Sequence, residues 1–426
     1  MVRVLPADEQ GLRQETEARD GRGTLVRARV SVSAAFFLFA AVLGNWAARV
    51  PAIKQGLGLD DGGLGVALLG LAAGFIVGTR LAPGVMDNLG SALVLRVSTG
   101  VFCLSLVAPA LAASTVWLTI ALGLVGVAGG VCDVSLNAQA VLVERRYGRP
   151  IISGFHALFS VGGMAAGAVG AGAAALGMTP LVHFSLAAAA LFILSLVSLH
   201  RLSPGDRRSA ESTRDEGDQA VSAASLPVLL LGLISFASFV GEGSAGDWSA
   251  VYLRETLGAP AGVAALGFTA FSGAMAACRF LSDRLVARLG AVAIARAGSI
   301  VAAGGLAIGL VAGNVAAGIA GFALLGAGLA PVVPLAFSAA GNTGPRASSK
   351  ILGRVVMMGY LGSIFGPVVI GFTADALGLR AALFLPVGLA LVAAACASRV
   401  GAAGVVVTAP AGGSSPGPES AGVSGS

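Results

Sequence analysis

The sequence predicts an all-α membrane protein with twelve transmembrane helices in two pseudo-symmetric six-helix bundles, and three observations predict it. Of its 426 residues, 56% are hydrophobic and only 11% are charged, with a mean hydropathy of +0.88; soluble domains carry roughly a quarter charged residues. Apolar segments of the roughly 20 residues needed to cross the hydrocarbon core recur twelve times. The chain also repeats itself: GNWAA at 44–48 returns as GDWSA at 246–250, and LGSALVLR at 89–96 returns as LGAVAIAR at 289–296.

Taken in order, residues 1–29 are polar and are expected to form a disordered cytoplasmic tail, with no apolar core and cleavage site of a removable signal. Spans are expected at 30–50, 62–82, 93–113, 115–143, 151–176 and 180–199, which make an N-terminal bundle over 30–199. The segment RLSPGDRRSAESTRDEGDQAVSAAS mixes charges of both signs with Ser and Pro and reads as a cytoplasmic linker over 200–225. A C-terminal bundle over 226–399 follows, with spans at 226–253, 260–282, 291–312, 315–340, 350–377 and 379–399. Residues 400–426 are low in complexity and are expected to be a disordered tail.

Charge sets the orientation. Of 27 Lys and Arg residues, all but Arg49, Lys54, Arg254 and Arg380 fall on the cytoplasmic side if both termini are cytoplasmic. That is the positive-inside pattern, so the net charge of +6 reflects topology and lipid headgroups, and nucleic acid is not an expected partner. The expected location is a bacterial cytoplasmic membrane, multi-pass. Cys103, Cys132, Cys278 and Cys396 stand singly in apolar runs and read as small buried hydrophobes, with no metal-ligand spacing.

Three of the 21 acidic residues lie well inside spans: Asp133, Glu242 and Asp247. An ionised carboxylate there costs several kcal/mol unless it is paired or neutralised, which makes it a functional candidate. Asp133, in GGVCDVSLNAQAVLVERR, lies near the midplane with Asn137 one turn on and on its face; packing is its bland alternative. Glu242 is also near the midplane, whereas Asp247 is nearer the outside. The two converge only if the helix bends, which Gly241, Gly243 and Gly246 would permit, although close helix packing also explains small residues there. The repeat places Asn45, Trp46 and Arg49 opposite Asp247 and Trp248, so Arg49 and Asp247 are a candidate external gate pair. The tryptophans also fit a role as interfacial anchors.

His156 is placed for a proton relay or for a buried hydrogen bond, and His183 reads as interfacial. Pro331 and Pro334 predict a kink in the tenth span. No phosphate-cradling GxxxxGK[ST] and no HExxH occurs, so ATP-driven transport has no support and an enzyme is not expected. No cofactor or metal is expected either.

Twelve spans, duplicated halves, a central linker and paired loops after helices two and eight resemble the major facilitator superfamily over about residues 30–400. That family carries a G-x-L-A-D-R-x-G-R-R loop motif. Here RFLSDRLVARLG retains Asp283, Arg284 and Gly290, and PGVMDNLGSA keeps Asp87 and Gly90 but lacks the basic residues. DVSLNAQAVLVERRYGRPIISGFHALFSVGG, GEGSAGDWSAVYL and GNWAARVPAIK are similar to the YbjJ-type branch, distantly related to the fucose permease group. The resemblance implies a proton-coupled carrier of a small molecule, working as a monomer by alternating access. In the fifth helix GGMAAGAVGAG lacks the proline of the exporters' GPxxGG-like motif, which counts against drug or metabolite efflux. A non-transporting sensor and an intramembrane enzyme are the alternatives from other classes. Asn45, Asp133, Asn137, Glu242 and His156 are the candidate substrate or proton residues.

Overall fold

A computed structural model describes residues 7–148, 151–202, 226–341 and 348–401, and these form helices with no strand among them. Twelve helices are long and apolar enough to cross a membrane. They are α1 Gly23–Gly56, α2 Asp61–Leu89, α3 Ser91–Leu111, α4 Thr115–Tyr147, α5 Gly154–Ala175, α6 Pro180–Arg201, α7 Leu226–Thr256, α8 Ala261–Ser282, α9 Ala291–Ala312, α10 Val315–Gly341, α11 Ile351–Leu377 and α12 Leu379–Cys396. Twelve crossings put the start of α1 and the end of α12 on one face, here the terminal face. The opposite face is the distal one.

On the distal face, polar side chains start the helices. Asp60, Ser114, Thr179 and Asn314 each accept the backbone N–H three residues on, capping α2, α4, α6 and α10, which satisfies donors that have no intrahelical partner. On the terminal face, Gly90 and Gly290 end α2 and the helix of α8 with φ of +80° and +82°, a conformation suited to glycine.

Within each bundle, small residues let backbones meet. Gly70, Gly74 and Gly78 recur every four residues on α2 against the carbonyls of Thr119, Gly123 and Val127 on α4; a Cβ on Gly74 would lie 2.0 Å from the Gly123 oxygen. Such contact is what holds helices together where lipid is as apolar as leucine. The repeat is visible in these contacts too. Gly126 sits against the Leu71 carbonyl in the first bundle and Gly326 against the Phe271 carbonyl in the second, both at 2.2 Å from a built Cβ. Between the bundles, α2 packs on α11 and α5 on α8, as a two-fold axis along the membrane normal requires.

Several expectations change. The helix containing α1 begins at Ala7, ahead of the first span's expected start near residue 30. α7 does not unwind at its glycines: it stays α-helical from Leu226 to Val251 and then closes with a π turn, Tyr252–Thr256. The glycines serve packing, Gly241 against Leu329 and Gly243 against Pro367. In α10 the helix breaks between Leu329 and Val332, at Pro331. The linker beyond Leu202 and the tail beyond Gly401 lie outside the described residues.

Candidate functional site

Polar groups inside the spans gather in two tiers. The midplane tier starts on α4, where Asp133 Oδ1 accepts from Asn137 Nδ2 at 3.2 Å and Asp133 Oδ2 accepts from the Tyr360 hydroxyl at 2.7 Å. Tyr360 belongs to α11, so this bond crosses between bundles. Its ring meets Phe75 of α2 edge-on at 5.7 Å and Phe239 of α7 at 5.9 Å between centroids.

One turn on from Phe239, Glu242 lies 3.6 Å from Arg279 of α8, Oε1 to Nη2. Arg279 Nη1 then donates to Ser160 Oγ at 2.7 Å and to the His156 carbonyl at 3.3 Å on α5. The Glu242–Arg279 pair lies within the second bundle, and Arg279 carries it across to the first. The His156 ring packs edge-on against Phe36 of α1 at 5.1 Å. Asp133, Asn137, His156, Glu242 and Tyr360 are all partly exposed. Polar groups contacted from both bundles and exposed at this depth line a space between the bundles rather than facing lipid.

The distal tier is more enclosed. Asn45, Arg49 and His183 are 3%, 4% and 3% exposed. The Asn45 side chain joins His183 Nε2 at 2.8 Å, so His183 is a buried partner of α1 and not interfacial. Trp46 Nε1 donates to Asp247 Oδ1 at 3.1 Å across the bundles. Arg49 Nη2 donates to the Met178 carbonyl. The expected Arg49–Asp247 pair is therefore not formed: the two residues face each other in sequence register, but rotation about α1 presents Trp46 to Asp247 and turns Arg49 into its own bundle. Trp248 is fully buried and donates to the Pro367 carbonyl at 3.1 Å, which ends its reading as an interfacial anchor. Closer to the distal face, Lys54 of α1 is bound both to Asp61 of α2, at 2.7 Å, and to Glu255 in the π turn of α7.

The loop-motif residues stand apart from both tiers. Asp87 and Arg284 are exposed on the terminal side. Asp87 is three residues before Gly90, but Asp283 and Arg284 are seven and six before Gly290 and lie inside the helix that runs from Leu266 to Leu289. The two copies thus do not occupy equivalent positions: the helices end at matching points of the repeat, Leu89 and Leu289, and the second acid stands four residues further back. The Asp283 side chain is outside the described ones. Among the described residues no group of three or more His, Cys, Asp or Glu could hold a metal.

The Major Facilitator Superfamily profile matches residues 230–420. An uncharacterised MFS-type transporter of Yersinia pestis is 35% identical over 375 residues, 87% of this chain and 95% of that one. This chain belongs to the major facilitator superfamily. A further relative, the uncharacterised transporter y4wD of Sinorhizobium fredii, is 37% identical over 84% of this chain and 94% of its own length. Among solved structures, the nucleoside transporter NupG (D323A mutant) has the same fold, with a TM-score of 0.70 at 14% identity over 88% of this chain and 99% of its own. The protein is accordingly a multi-pass membrane transporter of that superfamily.

Five members of the facilitator's polar tiers were not singled out from sequence. Arg279 opens the basic run RFLSDR and so reads as an ordinary charge at a helix end. Tyr360, in MMGYLG, carries no formal charge to mark it. Lys54, Asp61 and Glu255 read as loop charges, because only the fold shows that residues 201 apart meet. Lys54 standing in the basic-poor face was the one available signal.

Proposed function

We propose that this facilitator is a secondary active transporter that moves a small molecule across the bacterial cytoplasmic membrane by alternating access, coupled to protons. The bundles 30–199 and 226–399 would rock as bodies, with the terminal face in the cytoplasm. The observation that carries the reading is that both midplane carboxylates are tied across the bundles, Asp133 directly to Tyr360 and Glu242 through Arg279 to Ser160. Rocking must break these contacts. A carboxyl group whose partners differ between two states binds its proton differently in them, and that difference links protonation to the direction the site faces. Asp133 and Glu242 are assigned to coupling. Asn137, Asn45 and His156 support substrate contact or orientation, and Arg49 and Asp247 act in distal closure through separate partners. Reconstituted in liposomes, the wild type should accumulate its solute under an imposed pH gradient, whereas Asp133→Asn and Glu242→Gln should lose gradient-driven accumulation while retaining exchange. Undiminished accumulation by both variants would overturn the assignment.

A further inference from the structure

We infer that the transported molecule carries a carboxylate, and that it seats on Arg279 by taking the place of Glu242. The inference rests on the transporter reading and names its substrate class.

Arg279 is a cation nine-tenths removed from solvent, its side chain 10% exposed, at a depth where an incompletely paired charge costs several kcal/mol. Among the described residues only one of its nitrogens makes hydrogen bonds: Nη1, to Ser160 and His156. Nε is buried without a partner, and Nη2 has only the ionic contact with Glu242 at 3.6 Å, beyond hydrogen-bond length. Nε and Nη2 share one edge of the planar guanidinium. That edge is the parallel two-donor fork that a carboxylate fills with both its oxygens.

The α5 contacts hold the guanidinium by its other nitrogen, so the free edge is fixed in place before any guest arrives. One turn before Glu242 on the same helix, the Phe239 ring is partly exposed, a surface suited to the body of an organic acid. The charge belongs to one bundle alone. At the 200-residue offset fixed by the paired Gly126 and Gly326 contacts, the counterpart of Arg279 is Thr79, whose hydroxyl is spent on the Ile76 carbonyl.

Charge balance then specifies the proton. In the empty site Glu242 neutralises Arg279. A guest carboxylate on the Nε/Nη2 edge does the same, which leaves Glu242 with no cation; taking one proton from solvent returns the site to its original charge. One monocarboxylate and one proton therefore travel together, with no net charge moved.

Thermal unfolding of the purified full chain tests this without any gradient. The probes are L-lactate, D-gluconate, benzoate and shikimate against lactamide, D-glucose, benzamide and glucosamine. At least one carboxylate should stabilise the wild type when its neutral counterpart does not, with apparent affinity tightening up to about tenfold per unit fall in pH, the limit for one linked proton. Arg279→Gln should weaken that binding at least tenfold while Arg279→Lys recovers part of it. Glu242→Gln, which lacks the competing charge, should bind more tightly than wild type and with little pH dependence. Stabilisation by the neutral or amino compounds alone, carboxylate binding that survives in Arg279→Gln, or no carboxylate binding at all would overturn the inference. Pumping of a neutral sugar in liposomes would do so while leaving the transporter reading intact. Arg279-dependent carboxylate binding without flux would do the reverse.

Discussion

The distal tier and the midplane tier use the same residue types to opposite ends. Near the distal face the charges that cross between bundles are closed off by protein partners: Lys54, 5% exposed, bridges Asp61 and Glu255, and Trp46 caps Asp247, whereas Arg49, which stays within its own bundle, keeps Nε and Nη1 buried without partners. At the midplane Asp133 is satisfied by Asn137 and Tyr360, but the Arg279 and Glu242 pair across the second bundle is incomplete, and Arg279 keeps one whole edge free of hydrogen bonds. Neutralised charges bolt two bodies together, whereas incompletely satisfied ones leave capacity for a guest. In the proposed cycle the first tier closes one end of the passage and the second is completed by what passes through it.

The most forceful way to break this contrast is to remove the bolt. Lys54→Met leaves Asp61 and Glu255 facing each other without their shared cation, and stripping one partner from a largely buried ion pair costs about 3–5 kcal/mol. If the cluster exists only when the distal end is closed, the whole cost falls on the closed state and shifts the balance toward distal opening by on the order of 100-fold or more. Val368, 6% exposed, sits where α2 and α11 meet through Gly65. In a cysteine-free background, Val368→Cys should react with a membrane-impermeant maleimide applied from the distal side much faster once Lys54 is Met. An unchanged labelling rate would show that the cluster is structural cement in every state.

A smaller effect, of a different kind, is expected at Asn45. Its bond to His183 lies wholly inside the first bundle, so Asn45→Ala leaves a buried imidazole nitrogen unpaired in both states of the passage. The cost, about 1–3 kcal/mol, should appear as a lower unfolding temperature with no change in Val368→Cys labelling. Faster labelling would move Asn45 from the frame into the gate and blur the two tiers.

Much of this was legible from the residues because the membrane imposes long, simple signals. Twelve apolar runs and a 200-residue repeat survive as twelve helices in two bundles, and the expected proline break in the tenth span is present. Asp133 and Asn137 could be paired because an i,i+4 spacing fixes both on one helix face. Partners on other helices could not be read, since hydropathy gives depth but not rotation about the axis. For that reason Tyr360 and Arg279 went unnoticed as partners of Asp133 and Glu242, and Arg49 was matched to Asp247 at the right level and on the wrong side of α1. The glycines of α7 misled in a related way: composition permits either unwinding or close approach, and Leu329 and Pro367 packed against them decide for the latter.

The least effect expected is the one that separates register from contact most cleanly. Arg49 donates to the Met178 carbonyl within its own bundle, and Asp247 accepts from Trp46 across the interface; neither partner is shared. A double-mutant cycle of Arg49→Gln and Asp247→Asn, read by unfolding temperature and by Val368→Cys labelling, should be additive within about 0.3–0.5 kcal/mol, as for sites without a common contact. Each single change still has its own consequence. Arg49→Gln frees a carbonyl in the loop after α5, and Asp247→Asn weakens a charge-assisted bond between bundles. A coupling of 1 kcal/mol or more would mean that Arg49 reaches Asp247 in another state of the passage. The distal tier would then exchange partners as it opens, as is proposed for the midplane tier, and the contrast between a bolt and a binding site would narrow to one of degree.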